Sequence, residues 1–369
     1  MNNNSTETSS THAATAVTQR NRPRWKQVIS DILHYLVPVA ITVLMMVWMF
    51  RKIDFHEMIH VIRTECDFFW IAMMMLITAL SHTIRGTRWG IQLRGAGLKR
   101  LPNIIGCISI YGAYALNLLF PYLGETWRCI FMAKEEDAKI STVVGTDIGD
   151  RGTDLVCILS ITGLCLIVAG NYMKKFLVHY SLAQRIIDTF HDVWLWAVII
   201  IAIGGIWLLM HLMRGNRLVR RIDGTLDRVW NGFRCLFTMK GKFAYVVLSI
   251  GIWVCYFSET YMGFLAFPFT RELIADPGSC YGLIPGLVVF VFGAFSMAIP
   301  SNGGLGPWNI AVMFALSLYG VSNTQGAAYS VVMWGCQSLM LIALGVFSAI
   351  YISFYNKRHP VGRNKNTET

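Results

Sequence analysis

Six long apolar runs, at 32–50, 68–84, 193–213, 243–269, 281–299 and 328–355, decide what this chain can fold into. A helix needs roughly 20 apolar residues to cross a hydrocarbon layer about 30 Å thick, and backbone groups in that layer must be satisfied by the chain itself. The alternative, one large water-soluble core, does not suit 369 residues of which 54% are apolar and only 14% charged. Soluble domains carry roughly 25% charged residues, and the mean hydropathy here is +0.49. The expected fold class is all-α, a polytopic transmembrane helix bundle.

The remaining composition fits that solvent. Residues 1–31 are rich in Ser, Thr and Asn and lack periodicity, so they read as a disordered cytoplasmic tail, followed by a membrane domain over 32–355 and a second tail over 356–369. Arg51 and Lys52 follow the first apolar run where a signal peptide would carry small residues, so that run is expected to stay as an anchor. Nine cysteines are scattered without a CxxC pair and read as buried apolar side chains, leaving neither metal nor other cofactor to expect. The net charge of +11 comes from Lys and Arg at the ends of apolar runs, which excludes a nucleic-acid partner and points to anionic lipid headgroups.

Basic residues favour the cytoplasmic side. They cluster in the first tail (Arg20, Arg22, Arg24, Lys26), in 85–103, in 214–242 with eight, and after residue 356. Three apolar candidates lie between 85–103 and 214–242, yet an even number must cross. The segment 104–120 is the exception expected, because it runs into Asn117 and Pro121 and reads as re-entrant. The next crossing must then begin near Ile140 to be long enough. About eight crossings result, at 32–50, 68–84, 140–169, 193–213, 243–269, 281–299, 308–320 and 328–355, with both termini inside and 308–320 short enough for a half-helix. Segment 214–242 has apolar positions at helical spacing among arginines and is expected to lie on the inner leaflet.

Three constellations could carry function. Asp147, Asp150, Arg151 and Asp154 fall on one helical stripe, and three acids against one base leave it negative at membrane depth. Ionisable groups there are costly and mark functional sites by default, although a structural ion-pair network clamping helices accounts for them equally well. Asn117, Pro121, Gly124, Glu125 and Arg128 form a broken element able to grip a polar headgroup, or a capped interfacial turn. Pro300, Asn302, Gly303, Gly304, Gly306 and Asn309 form a Gly-rich loop opening a helix whose first amides favour an anion. It lacks the Lys-Ser/Thr ending of a nucleotide loop. A Pro-x-x-Gly start at both Pro121 and Pro300 points to an inverted repeat. Arg85 and Arg88 close the second run, beside Trp89, as phosphate-attracting groups or as an inside anchor; Glu259 is a candidate for the interior network, and His82 reads as a satisfied interior group.

In this order Arg85-x-x-Arg88-Trp89, Asn117…Pro121-x-x-Gly124-Glu125-x-x-Arg128, Asp150-Arg151-x-x-Asp154 and Pro300-x-x-Gly303-Gly304-Leu305-Gly306 resemble the lysylphosphatidylglycerol synthase transmembrane region, a flippase-like membrane family, over roughly 30–355. The resemblance implies a multi-pass protein of the bacterial or archaeal cytoplasmic (inner) membrane that moves lipids between leaflets. The founding members' cytosolic lysyl-transferase domain has no counterpart here, so no enzyme activity is expected. The chain departs from the pattern at Asn309, where the family commonly has an acid, and in its last run, where Trp334, Gly335 and Gln337 lack an expected arginine. That shifts the expected cargo from a cationic aminoacyl lipid to an anionic phospholipid or a polyprenyl-phosphate carrier.

Three functions are therefore carried forward. The first is a flippase or scramblase whose headgroup path is lined by the acidic stripe, Glu125, Arg128 and both broken elements. The second is a membrane-embedded lipid aminoacyl- or glycosyl-transferase. The third is a non-transporting scaffold that binds envelope-biosynthesis proteins.

Overall fold

The computed structural model describes residues 53–98, 102–170 and 217–358, with positions 40, 42–47, 49, 51 and 204. The crossings expected at 32–50 and 193–213 and the tails at 1–31 and 356–369 fall wholly or largely outside the described residues. Among those described, every regular element is helical. In chain order they are α1 (Phe55–Glu65), α2 (Phe68–Gly95), α3 (Asn103–Leu119), α4 (Leu123–Glu135), α5 (Ile140–Val168), α6 (Arg217–Thr238), α7 (Lys242–Ala266), α8 (Pro268–Ala275), α9 (Leu283–Ser296), α10 (Pro307–Ser317) and α11 (Asn323–Arg358).

α2, α5, α7 and α11 are long and apolar enough to cross a membrane. Each keeps large apolar side chains exposed, such as Leu76 and Leu80 on α2, Val156 and Leu159 on α5, and Val247 and Ile250 on α7. Such faces suit lipid, which asks no polar group of them. Starts are fixed locally: the Asp54 carboxylate accepts the His56 and Glu57 amides ahead of α1 (2.9 and 3.0 Å), and Asp67 accepts the Phe69 amide ahead of α2 (3.1 Å). α5 spans almost the whole of the expected 140–169.

α2 corrects the expected boundary at 84. It continues to Gly95, so Arg85 and Arg88 stand inside a helix and not at its end, where they would have been an interfacial anchor. The runs at 281–299 and 308–320 shrink to helices of 14 and 11 residues. At 1.5 Å per residue these reach about 21 and about 17 Å, short of a crossing, so both join the broken elements. Losing both at once leaves the even count between the inside segments untouched. α6 confirms a helix within 214–242, but its C-terminal half does not simply rest on lipid: Leu236 abuts Gly149 of α5, and the Cys235 thiol meets the Gln92 carbonyl of α2 at 3.6 Å.

Glycine sets how closely these helices approach. Lipid gives helices no hydrophobic reason to associate, so backbone contact and dispersion must do it. α7 packs along α2, and α3 lies between α2 and α11. A methyl group added at Gly86 of α2 would lie 2.4 Å from the Cys107 Cα on α3, and one at Gly345 of α11 would lie 2.3 Å from the Ala115 Cβ. The Ser348 hydroxyl then donates to the Ile108 carbonyl at 2.7 Å, tying α11 to α3. Phe264, Phe267 and Tyr329, whose rings stand 5.9 Å apart in two of the three pairs, belong to an apolar cluster to which α1, α2, α7, α8, α9, α10 and α11 all contribute.

Gly86→Ala should therefore force α2 and α3 apart and cost about 1–3 kcal/mol, the usual range for overpacking. Gly335→Ala, at a helical site with nothing within 4 Å of the new methyl, should be neutral or slightly stabilising. Thermal denaturation in detergent, followed by size-exclusion recovery, compares the two.

Candidate functional site

Three helices bring their charges to one place. α2 supplies Arg85 and Arg88, one turn apart; α5 supplies Asp147, Asp150, Arg151 and Asp154; α4 supplies Glu125 and Arg128. Arg88 Nη2 lies 2.6 Å from Asp150 Oδ1 and 2.8 Å from Asp154 Oδ1, while Arg85 Nη1 lies 2.6 Å from Asp154 Oδ2 and 3.4 Å from Asp150 Oδ2. Arg128 pairs with Asp147, and Arg151 Nη2 meets Glu125 Oε1 at 2.6 Å.

The stripe on α5 is thus not negative in its surroundings, which corrects the sequence-based expectation. Four arginines face four carboxylates, and the group is neutral. Neutrality is what burial demands: desolvating one ion costs several kcal/mol after relaxation, and only close, hydrogen-bonded partners offset it. The missing cations were in the sequence, but two of them sat beyond the assumed end of the second span.

Aromatic rings complete the desolvation. Arg128 lies over the Trp89 ring at 4.6 Å, Arg88 over Tyr245 at 5.5 Å, and Arg85 between Tyr114 and Tyr256 at 5.8 Å from each. A guanidinium on a ring face keeps its charge while shedding water. Trp89 is fully buried and donates to the Thr146 hydroxyl at 3.2 Å, so it is a packing partner of the network and not an interfacial aromatic. Sequence does not mark these tyrosines, because a tyrosine in an apolar run carries no signal of what it will cover.

The network is closed at one end and open at the other. Arg88 and Asp150 are fully buried, whereas Glu125 keeps 20% of its side chain accessible and Arg151 keeps 40%. Arg151 and Glu125 are thus the members of the network that most nearly reach its surface. Arg151 stands about 17 Å along α5 from Ile140 at 1.5 Å per residue.

Both broken elements are pairs of short helices. α3 and α4 form an antiparallel hairpin: a methyl on Gly124 would lie 1.8 Å from the Ala113 carbonyl oxygen, and one on Gly112 would strike the Trp127 ring at 2.8 Å. Asn117 Oδ1 accepts the Gly124 amide at 2.7 Å across the Pro121 turn, so Asn117 and Gly124 serve the turn itself, as the capped-turn alternative held. In the second element Gly303, Gly304 and Gly306 all have positive φ (58°, 80° and 91°), which an L side chain rarely adopts.

The two elements meet. Asn302 Nδ2 donates to the Leu119 carbonyl at 3.0 Å, and Gly303 backs onto Leu118. Trp334 of α11 donates to the Gly303 carbonyl at 2.8 Å, which gives that departure from the expected arginine a structural job. The anion-binding expectation for the start of α10 weakens: Pro307 has no amide, and Asn309 Oδ1 takes that of Gly306 at 3.1 Å. Pro300 ends the preceding turn without a role in the charge network.

Two interior groups differ from expectation. His82 is buried against the Tyr114 ring, centroids 4.4 Å apart, with neither ring nitrogen hydrogen-bonded, so it is not a satisfied group. Glu259 does not join the arginines; its carboxylate oxygens meet Ser81 Oγ at 3.2 Å and Gln337 Nε2 at 3.3 Å. Among the described residues no three His, Cys, Asp or Glu side chains gather to hold a metal ion.

Comparison with known proteins identifies the architecture. The family model for the lysylphosphatidylglycerol synthase TM region matches residues 35–345. Among curated proteins and among solved structures, nothing matches the chain.

Removing one side of a buried pair exposes what the pairing offsets. Asp150→Asn should destabilise the protein by about 3–5 kcal/mol, because Arg85 and Arg88 then share one carboxylate. Deleting a whole pair, Arg88→Met with Asp150→Leu, leaves Arg85 with Asp154 and should be milder than Asp150→Asn alone. Detergent melts of the three proteins decide it; a double variant no better than the single one counts against pairing as the cause.

Proposed function

Because this chain belongs to the lysylphosphatidylglycerol synthase transmembrane-region family, we propose that it is a multi-pass membrane protein that flips or scrambles a lipid with an anionic headgroup across the cytoplasmic membrane of a bacterium. The observation that carries this is the open end of the charge network, where Arg151 keeps 40% of its side chain accessible and is held by Glu125, which keeps 20%. A guanidinium binds phosphate through two parallel hydrogen bonds. A phosphate reaching the accessible end of the network replaces Glu125 on Arg151, while Arg85 and Arg88 stay committed to their own acids. The headgroup passes Arg151 and the acyl chains remain in lipid. A phospholipid and a polyprenyl phosphate present the same group to Arg151, and both are proposed cargoes.

The transferase reading asks for a carboxyl free to act as acid or base, and within the charge network Asp147, Asp150, Asp154 and Glu125 are each engaged by an arginine. The scaffold reading, with envelope-biosynthesis proteins as partners, makes the same network purely structural and leaves Arg151 tolerant of change.

Proteoliposomes containing head-labelled phosphatidylglycerol, or a labelled isoprenoid phosphate, test the proposal by quenching from outside. Wild-type protein should raise the inner-to-outer rate at least tenfold over protein-free vesicles for one of these lipids. Arg151→Gln, at the accessible end of the network, should lose most of that rate with its melting temperature nearly unchanged. Rates equal to empty vesicles for both lipids overturn the proposal, and full activity in a folded Arg151→Gln protein removes Arg151 from it.

A further inference from the structure

Glu259 differs from every other buried acid described above. Asp147, Asp150 and Asp154 each have an arginine at hand. Glu259 is 6% exposed, and its carboxylate meets neutral donors, Ser81 Oγ and the Thr78 hydroxyl of α2 and Gln337 Nε2 of α11. Ser81 lies about 20 Å from either end of α2 at 1.5 Å per residue, so the carboxyl sits near mid-depth, where three helices meet. A lone carboxylate in that environment faces a desolvation cost with no cation to offset it, and a proton removes the cost by removing the charge.

We propose that Glu259 is a proton-binding site inside the membrane, carrying its proton at neutral pH and exchanging it with the aqueous phase. Its surroundings permit this. On its own helix Cys255 and Tyr256 lie one turn away and Tyr261 turns to the Tyr281 carbonyl, while the buried Tyr329 of α11 donates to the Thr260 carbonyl and Arg271 of α8 pairs with Asp67. On α2, Arg85 turns to the acids of α5 and His82 to Tyr114, and on α11 Gln337 is neutral, with the half-buried thiol of Cys336 beside it. α9, which also packs on α7, has no titratable side chain. α5 offers Asp154, which Arg85 and Arg88 neutralise.

The site also has a physical link to the charge network. Tyr256 stands one helical turn before Glu259, and its hydroxyl accepts from Arg85 Nε at 3.2 Å. Loss of the proton from Glu259 places a negative charge one turn from the tyrosine that steadies Arg85. Protonation of Glu259 and the arrangement of the charge network are thereby joined through a single side chain. Use of that link in transport rests on the lipid-moving proposal; the proton site itself does not.

Dicyclohexylcarbodiimide, which enters lipid and modifies carboxyl groups only in their protonated form, tests the site on the full chain in liposomes, with peptide mass spectrometry as readout. At pH 7 Glu259 should be labelled, Asp150 should not, and labelling of Glu259 should fall at least fivefold as the pH is raised to 10. Glu259→Gln keeps the shape and both hydrogen-bonding positions, and it should lose the labelled peptide while melting as the wild type does. An unlabelled Glu259, under conditions that label a reference membrane carboxyl added to the same liposomes, overturns the proposal. So does labelling that ignores pH but is blocked by sodium, which would make the bound ion sodium. Neither outcome depends on whether any lipid moves, so failure here and failure of lipid transport are read separately.

Discussion

Charge neutrality in a medium that cannot solvate charge governs this molecule. Arg85 and Arg88 extend α2 beyond the point where a hydropathy argument ends it, and they do so because α5 brings Asp150 and Asp154 to meet them. Neither helix could carry its charges alone at that depth. Pairing therefore fixes more than a local contact: it sets the register of α2 against α5, and through Arg128 and Asp147 it sets the position of α4 as well. The α3–α4 hairpin has its own helix-breaking turn, and this clamp holds α4 to α5 while Gly86 and Ser348 hold α3 to α2 and α11.

Much of this was legible in the sequence. The long apolar runs identify the solvent and the fold class. Asn117 and Pro121 mark the end of a helix, and α3 stops at Leu119, while the need for a full-length span places the start of α5 at Ile140, where it is found. The spacing of Asp147, Asp150, Arg151 and Asp154 correctly puts them on one face. What stayed hidden was partnership. Periodicity tells which way a side chain points along its own helix, but not which helix lies opposite. Arg85 and Arg88 looked like an end marker because basic residues usually are one, and the acids on α5 looked unbalanced for the same reason. His82 and Glu259 show the converse: nothing local announces that one lacks partners and the other has only neutral ones.

The two broken elements illustrate how backbone irregularity is managed at membrane depth. Each turn leaves amides and carbonyls unpaired, and each is repaired by a side chain at hand or by the other element. Asn117 takes the amide of Gly124, Asn309 that of Gly306, Asn302 gives its own amide group to Leu119, and Trp334 caps the carbonyl of Gly303. Asparagine recurs because its short side chain both donates and accepts. A shared Pro-x-x-Gly start led to the comparison of these segments, and the structure places them in direct contact.

α11 touches both of these elements at separate levels, Trp334 against the Gly303 loop and Ser348 against Ile108 of the hairpin. At 36 residues it is about 54 Å long, far more than the hydrocarbon thickness, so it must lean or project into water. A rigid rod fastened at two heights transmits any change of lean to both attachments at once, in proportion to their distance from its pivot. Bilayer thickness, by setting that lean, thus becomes a mechanical input shared by the two hairpins.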